Sequence, residues 1–150
     1  MKRFLFYFLN LTWGLLLNIV GFGVAVVLLI RKKKPKKWGD CFYFEVGKTN
    51  WGGLELGVFF LTSKNPSIHT RNHEHGHAVQ NCFFGVFMPF IVSIPSAIRY
   101  WYRTIREKKG LPNKTAYDAI WFEGQATRLG TKYVKGVNYG RKSKVQKLHK

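Results

Sequence analysis

The stretch that decides the fold of this 150-residue chain is RNHEHGHAVQ, residues 71–80. Within it, His73, Glu74 and His77 spell the pattern HExxH. Helical residues four apart lie on one face, so the imidazoles of His73 and His77 can reach one zinc ion. Glu74 lies about 100° round such a helix, where its carboxylate can take a proton from a water on that ion. The pattern therefore predicts a helix that carries a metal site.

Three residues close to the motif are predicted to play other parts. His75 points away from the metal face by roughly 200°, so we expect it to pack against neighbours or to support a ligand. His69 comes soon after Pro66, and we expect it to lie in a loop. Gly76 has no side chain, which lets another backbone approach the motif closely.

The residues before the motif predict a small β element. CFYFEVGK (41–48) and LELGVFFL (54–61) are short, apolar and rich in aromatics, as strands are. The TNWGG segment between them is typical of a turn, so the two strands are candidates for a hairpin. A helix should begin near Ile68 and run through the histidines.

A second helix is predicted after the motif, over residues 115–130. Thr115 is a suitable N-cap, and Gly130 a suitable stop. The last 20 residues are rich in Lys and Arg and resemble a basic tail. The predicted fold class is mainly α with a small β element.

The N-terminal segment predicts a membrane anchor. Phe4 to Ile30 is a run of 27 residues without a charge, and about 20 apolar residues span a bilayer as a helix. A signal peptide is the competing interpretation, but the run is too long and no small-residue cleavage site follows it. A hairpin of two short helices turning near residues 18–23 is a further alternative. The polar residues Asn10, Thr12 and Asn18 are expected to face protein rather than lipid.

A second apolar stretch, residues 82–102, is long enough to cross a membrane but contains Pro89 and Pro95. Each proline removes a helical hydrogen bond and disfavours helix just before itself. We therefore expect a kinked helix or two short helices that dip into the membrane without crossing it.

The charge balance points to an anionic partner. Lys and Arg number 25 against 7 Asp and Glu, a net charge of +18. The cationic residues flank apolar segments, as in RKKKPKK (31–37), and no nucleic-acid-binding motif is present. We expect anionic membrane lipids as partners and no specific nucleic acid. Cys41 and Cys82 lack the CxxC spacing of metal-binding cysteines and are expected to be reduced.

The later segment WFEGQATRLG (121–130) completes a resemblance. An HExxH helix followed by a helix with Glu-x-x-Ala resembles the gluzincin group of zinc metalloproteases. More closely, HEHGHAVQ, FGVFMPFIVSIPS and FEGQATRLG resemble small, largely uncharacterised bacterial membrane proteins with a His-Glu-x-Gly-His motif. The resemblance covers most of the chain.

The resemblance implies a ligand set and roles. His73, His77 and Glu123 would bind Zn²⁺, and Glu74 would be the catalytic base. Thr127 departs from the pattern, because Asp or Asn usually stands there and supports a motif histidine, so ligand orientation is expected to be weaker. The remaining candidates for supporting a ligand or stabilising an oxyanion are Asp118, Tyr117 and Tyr133.

These observations predict a membrane anchor at 1–30 and a minimal zincin-like metal-binding domain at 31–150, with residues 82–102 membrane-associated. The expected function is a membrane-anchored zinc metalloprotease that hydrolyses peptide or protein substrates. The alternative is a non-catalytic metal-binding membrane scaffold or adaptor. Because Glu123 must share a membrane side with the motif, and cationic clusters favour the cytoplasm, the active site is expected on the cytoplasmic face.

Overall fold

The computed structural model describes residues 1–47 and 51–148, with side chains described through Val134. This part of the chain is mainly helical with a small sheet, which confirms the predicted fold class. The helices are α1 Arg3–Leu11, α2 Leu15–Ile30, α3 Ile68–Phe84, α4 Ile94–Lys108 and α5 Trp121–Leu148. The strands are β1 Lys36–Trp38, β2 Cys41–Glu45, β3 Gly53–Leu56 and β4 Phe59–Thr62.

The strand pairing differs from the predicted hairpin between residues 41–48 and 54–61. The described strands lie in the order β1-β2-β4-β3, and β2 runs parallel to β4, with Phe42 opposite Phe59. LELGVFFL forms a hairpin by itself, because Gly57 has a φ of +75° and turns the chain between β3 and β4. A positive φ costs glycine little, so this residue decides the pairing.

The N-terminal apolar run is two helices rather than the predicted single one. α1 and α2 meet at 90°, and the break lies at residues 12–14 rather than at 18–23. Among the described residues, no single helix is both long and apolar enough to cross a membrane. Two bent pairs reach that length and composition only when their helices are counted together: Arg3–Leu11 with Leu15–Ile30, and Ile68–Phe87 with Pro89–Lys108.

A buried asparagine network explains the bend between α1 and α2. Asn18 donates to the carbonyl oxygen of Asn10 at 2.9 Å and accepts from the backbone N–H of Val58 at 2.8 Å. Asn81 on α3 donates to Asn10 Oδ1 at 2.8 Å. Because buried amides need partners, this network ties both helices to α3 and to the sheet. Asn10 and Asn18 face protein as expected, whereas Thr12 is exposed.

The core includes the N-terminal helix. Phe6 of α1 is fully buried and lies in one hydrophobic cluster with Tyr43, Phe60 and Val79 of the sheet and α3. Burying an aromatic ring of this size stabilises a fold by roughly 1.5–3 kcal/mol. α1 is therefore part of the domain that contains the motif, in addition to any role as an anchor.

The segment after the motif is broken before Pro89, as expected of that proline, but it is not broken at Pro95. A 3₁₀ turn at Gly85–Phe87 follows α3, and a π-helical turn begins at Pro89. Pro95 then lies in the first turn of α4, where its missing N–H costs nothing. The pair Ile68–Phe87 and Pro89–Lys108 is bent by 115°.

The last helix begins later and runs further than predicted. α5 starts at Trp121 rather than at 115, because residues 117–119 form a 3₁₀ turn and Ile120 is extended. The prediction that this helix ends at Gly130 is wrong, because the helix continues through that residue to Leu148. The predicted basic tail is thus helical in its backbone, but side chains such as that of Arg141, and residue 149, lie outside the described part.

Glycines set the separation of α3 and α5. A Cβ on Gly76 would overlap the carbonyl oxygen of Ala126, and one on Gly130 would overlap that of Asn72. The two helix backbones therefore touch at two points where a side chain has no room. This is the close approach expected of Gly76, and it explains why a glycine stands inside α5.

We predict that Gly76→Ala and Gly130→Ala each destabilise the fold by at least ~1–3 kcal/mol, the usual cost of overpacking. Gly23→Ala is the matched control, since Gly23 is also helical and a Cβ there meets nothing within 4 Å. The control should be neutral or stabilising by up to ~1 kcal/mol. Chemical denaturation measures all three, and equal stability of Gly76→Ala and Gly23→Ala would refute the close packing.

Candidate metal site

The helix that carries the motif begins at Ile68, as predicted. Ser67 caps α3 by accepting a hydrogen bond from the Thr70 N–H at 3.0 Å. His69 is therefore in the first helical turn, and the expectation that it lies in a loop is wrong. Its side chain is exposed, and its Nε2 lies 3.4 Å from Asp118 Oδ2.

Three side chains from α3 and α5 converge on one point. Glu123 Oε2 lies 2.9 Å from His73 Nε2 and 3.3 Å from His77 Nε2, and the two Nε2 atoms are 3.1 Å apart. All three residues are buried. Among the described residues, this is the group of His, Cys, Asp and Glu side chains that could hold a metal ion. The arrangement brings together the three ligands that the resemblance implied.

His73 is held by a relay that contains two predicted residues. Its Nδ1 lies 2.8 Å from Thr127 Oγ1, and that hydroxyl donates to Asp118 Oδ2 at 2.6 Å. Since the hydroxyl donates its hydrogen bond to the carboxylate, it accepts from Nδ1–H, and Nε2 is turned toward Glu123 and His77, where a metal would bind. Thr127 and Asp118 together thus do what an acidic residue at position 127 would do alone.

His77 is held by a residue that sequence reasoning did not single out. Gln80 Oε1 lies 2.8 Å from His77 Nδ1, while Gln80 Nε2 donates to the carbonyl of Phe122 at 2.8 Å. The amide therefore orients the histidine and links α3 to the first turn of α5. Gln80 follows His77 by three residues and so lies on the same helix face, which is the sequence feature that could have identified it.

The unpaired atoms of the group fit a cation. Glu123 Oε1 is buried and has no hydrogen-bond partner among the described residues. Burial alone would raise the pKa of Glu123, but hydrogen bonds from His73 and His77 hold it well below its usual range. A buried carboxylate with a free oxygen beside two Nε2 atoms is the donor set that zinc sites use.

Glu74 stands beside these ligands without joining them. Its carboxyl group is buried and faces the backbone of β3, where a Cβ on Gly53 would touch it. Burial raises the pKa of Glu74, and the neighbouring His73 and His77 offset this only in part. A carboxylate with a raised pKa is a stronger base.

A cavity of about 730 Å³ opens over the group. His73, Glu74 and His77 line it, together with residues of β3, α4 and the turn before α5. Most of the wall is apolar, including Trp51, Leu54, Met88, Val92, Tyr100 and Trp101. This is a volume typical of ligand sites.

The two candidate tyrosines have different positions. Tyr117 lines the cavity, with its ring 6.2 Å from that of His73 and its hydroxyl 3.1 Å from Ser96 Oγ. Burial, with the nearby Glu123, raises the pKa of Tyr117 to about 12, so its hydroxyl keeps a proton to donate. Tyr133, the other candidate for stabilising an oxyanion, does not reach the site. It follows Glu123 by ten residues and therefore lies about 15 Å further along α5. It donates instead to Asp40 Oδ2 at 3.1 Å.

His75 packs as predicted, on the opposite side of α3. Its ring stacks on Tyr133 at 5.0 Å and on Phe6 at 5.7 Å. Burial lowers its pKa to about 4, so it stays neutral at physiological pH. It also accepts a hydrogen bond from the Asp40 N–H at 3.4 Å.

A second buried carboxyl group, Glu55, lies in the cavity wall and was not predicted. Burial raises its pKa to about 8, and it accepts a hydrogen bond from the Gly57 N–H. The alternation in LELGVFFL hid it, because a charged residue in a strand is normally placed on the solvent side.

No family model, curated protein or solved structure matches the chain. The site is therefore interpreted from its own geometry.

We predict that Thr127→Val, which removes the hydroxyl and keeps the shape, weakens zinc binding by ~10–100-fold, because His73 loses its orienting partner. Thr127→Ser is the matched control and should bind zinc as the wild type does. Competition with a zinc-chelating dye measures both affinities. Equal affinity of Thr127→Val and Thr127→Ser would show that the relay does not support His73.

We predict that Glu55 makes stability depend on pH. The folded state keeps the Glu55 proton up to about pH 8, while the unfolded chain loses it near 4.5, so the folded state binds more protons between these values. Stability should therefore fall as pH rises from about 5 to about 9. Glu55→Gln, which mimics the protonated group, should lack this part of the loss. Urea denaturation across that range compares them, and parallel curves would contradict a raised pKa.

Proposed function

We propose that this protein is a membrane-anchored zinc metalloprotease. One observation carries the proposal: His73, His77 and Glu123 converge on one point, and the buried carboxylate of Glu74 lies beside them in the same cavity. Three protein ligands with an open side are typical of catalytic zinc sites, whereas structural sites are closed by four.

Zinc is the metal that this donor set favours. Two neutral imidazoles and one carboxylate suit a borderline-soft ion, while magnesium and calcium prefer oxygen donors only. The hydroxyl of Thr127 and the amide of Gln80 hold the Nδ1 atoms, so both Nε2 atoms point to the same place. A bound zinc ion supplies Lewis acidity, which lowers the pKa of a water and polarises a carbonyl group.

The residues of the chain supply the remaining parts of the reaction. Glu74 accepts a proton from the attacking water and returns it to the leaving amine. Tyr117, which keeps its proton, donates a hydrogen bond to the oxygen that becomes negative as the peptide carbonyl is attacked. The apolar cavity wall lowers the local dielectric constant, which strengthens both interactions.

A peptide substrate is favoured by the edge of the sheet. β3 pairs with β4 on one side and, among the described strands, with none on the other. The Ser63 N–H donates to the Gly52 carbonyl oxygen. Because hydrogen-bonded and non-hydrogen-bonded pairs alternate along an antiparallel ladder, the N–H and C=O groups of Gly53 and Glu55 point away from β4. An extended peptide can add to such an edge, and Gly53 lies against Glu74.

We predict that Glu74→Gln retains zinc while peptide hydrolysis falls by at least ~10²-fold, because the proton acceptor is lost and the ligands remain. Glu123→Gln should instead lose both, since two imidazoles without the carboxylate do not offset the charge of Zn²⁺. The measurements are zinc per protein and turnover of a peptide library for each variant.

Two outcomes of these measurements would contradict the proposal. Wild-type zinc content and turnover in Glu123→Gln would remove Glu123 as a ligand. Zinc binding that follows the predicted pattern in a protein that cleaves no peptide would favour the non-catalytic metal-binding scaffold.

Membrane association is supported by the surface of the N-terminal helices. α1 and α2 expose many large apolar side chains, among them Phe4, Ile19, Phe22 and Ile30. Exposed apolar surface of this kind is typical of sites that contact a membrane or another protein. The cationic run 31–37 follows directly and suits anionic lipid headgroups. We place the site on the cytoplasmic face, because cationic clusters beside apolar segments stay there.

We predict that residues 34 and 108 share the cytoplasmic side. Cysteines introduced as Lys34→Cys and Lys108→Cys should react with an impermeant thiol reagent only after cells are permeabilised. The native Cys41 and Cys82 are buried and give a low background. Labelling of residue 108, but not of residue 34, in intact cells would contradict the shared side.

A further inference from the structure

Helix α4 carries an exposed apolar stripe. Ile94, Ile98, Trp101, Tyr102 and Ile105 follow helical spacing on one side, and all are exposed. Ile98 is 63% and Trp101 61% exposed. None of the residues of α4 is buried, so among the described residues the core does not use this stripe.

The other flank of α4 attaches the helix to the protein. Arg99 donates to the carbonyl oxygens of Ala116 and Tyr117, and Arg103 donates to that of Thr115 at 2.7 Å. Arg106 donates to Pro112 in the same way at 2.9 Å. These cationic side chains fix the rotation of the helix, so the apolar stripe is held outward by the fold.

The stripe has the composition of a helix that lies in a membrane interface. Isoleucines form its apolar part, while Trp101 and Tyr102 are the aromatic types enriched at headgroup level. Arg106, Lys108 and Lys109 lie at its C-terminal end, and the whole chain carries a net charge of +18. An anionic bilayer complements both properties.

The stripe continues onto the rim of the metal cavity. Trp101 belongs to both, because it lines the cavity and stands between Ile98 and Ile105 on the helix. Leu54 of β3 also lines the cavity, and it is 46% exposed. The buried Met88 and Val92 lie inside, with the metal-binding group. The stripe therefore meets the cavity at Trp101, and exposed apolar side chains border the cavity there.

We propose that the α4 stripe rests in the interface of an anionic bilayer, so that the cavity opens at headgroup level and takes the membrane-proximal segment of a polypeptide anchored in the same bilayer. This substrate class rests on the proposed proteolytic function. The substrate diffuses in the plane of the membrane, and its extended segment passes the rim at Trp101 and Leu54 to reach β3 and Glu74.

The position of the stripe is tested without catalysis. Full-length protein with Ile98→Cys or Ile105→Cys is spin-labelled and reconstituted into vesicles of phosphatidylcholine and phosphatidylglycerol. Lys64→Cys, in the exposed loop after β4, is the control. Collision with oxygen reports lipid, and collision with a water-soluble nickel complex reports water. We expect labels at 98 and 105 to be lipid-like and the label at 64 to be water-like.

Two results would overturn the membrane position of the stripe. Labels at 98 and 105 that collide with the nickel complex as label 64 does would place the stripe in water. Labels that meet neither reagent and show spin–spin broadening would assign the stripe to a second copy of the chain. Neither result depends on whether the protein cleaves peptides.

The substrate class is tested with one peptide in two forms, free and tethered to a lipid chain in the same vesicles. Zinc-loaded wild type should cleave the tethered form at least ~10-fold faster, because the membrane raises its effective concentration at the cavity. The double variant Ile98→Glu and Ile105→Glu should lose this ratio. Equal rates for both forms would overturn the inference and leave proteolysis standing. Cleavage of neither form would instead refute the proposed function, while the spin-label result stands by itself.

Discussion

The close contact of α3 with α5 is the constraint on which the rest of the site depends. Glu123 reaches His73 and His77 only because two glycines let the helix backbones touch, at Gly76 and at Gly130. The contact places a fully buried carboxylate beside two largely buried imidazoles. A buried anion is stable there only with cationic or donor partners, so the helices and the group that they enclose stabilise one another.

His73 is supported by an uncharged residue and a carboxylate in series. Thr127 carries no charge, yet its hydroxyl connects the imidazole to the carboxylate of Asp118. The 3₁₀ turn before α5 is what presents Asp118 to the helix, and it also presents Tyr117 to the cavity. A short turn thus serves both the ligand and the cavity wall, which ties metal orientation to the shape of the site.

Local patterns were predictable from the sequence, and pairings between distant segments were not. The HExxH helix, the break before Pro89 and the mainly helical class follow from spacing and from proline geometry. The end of α5 was misjudged, because Gly130 is ambiguous: the residue that ends a helix is also the one that lets two helices touch. Only the tertiary contact with Asn72 decides between these roles.

The same limit applies to the N-terminus and to the cavity. Asn10 and Asn18 looked like polar interruptions of an apolar run, but their hydrogen bonds with Asn81 and Val58 bend the chain and bury it. By residue type, Tyr117 and Tyr133 are equally suited to stabilise an oxyanion. Only the structure shows that Tyr117, in the turn before α5, lines the cavity, whereas Tyr133, further along α5, does not. Glu55 gave no sequence signal, because its burial results from the packing of β3 against α3.

The central claim is that His73, His77 and Glu123 hold the metal. X-ray absorption at the zinc edge, on purified protein loaded with one equivalent of zinc, tests it most directly. The account predicts two imidazole nitrogens at about 2.0–2.1 Å, oxygen donors at about 2.0–2.2 Å and no sulfur. A sulfur shell at about 2.3 Å would assign the metal to Cys41 or Cys82. That shell, or the absence of the imidazole scattering pattern, would contradict the site.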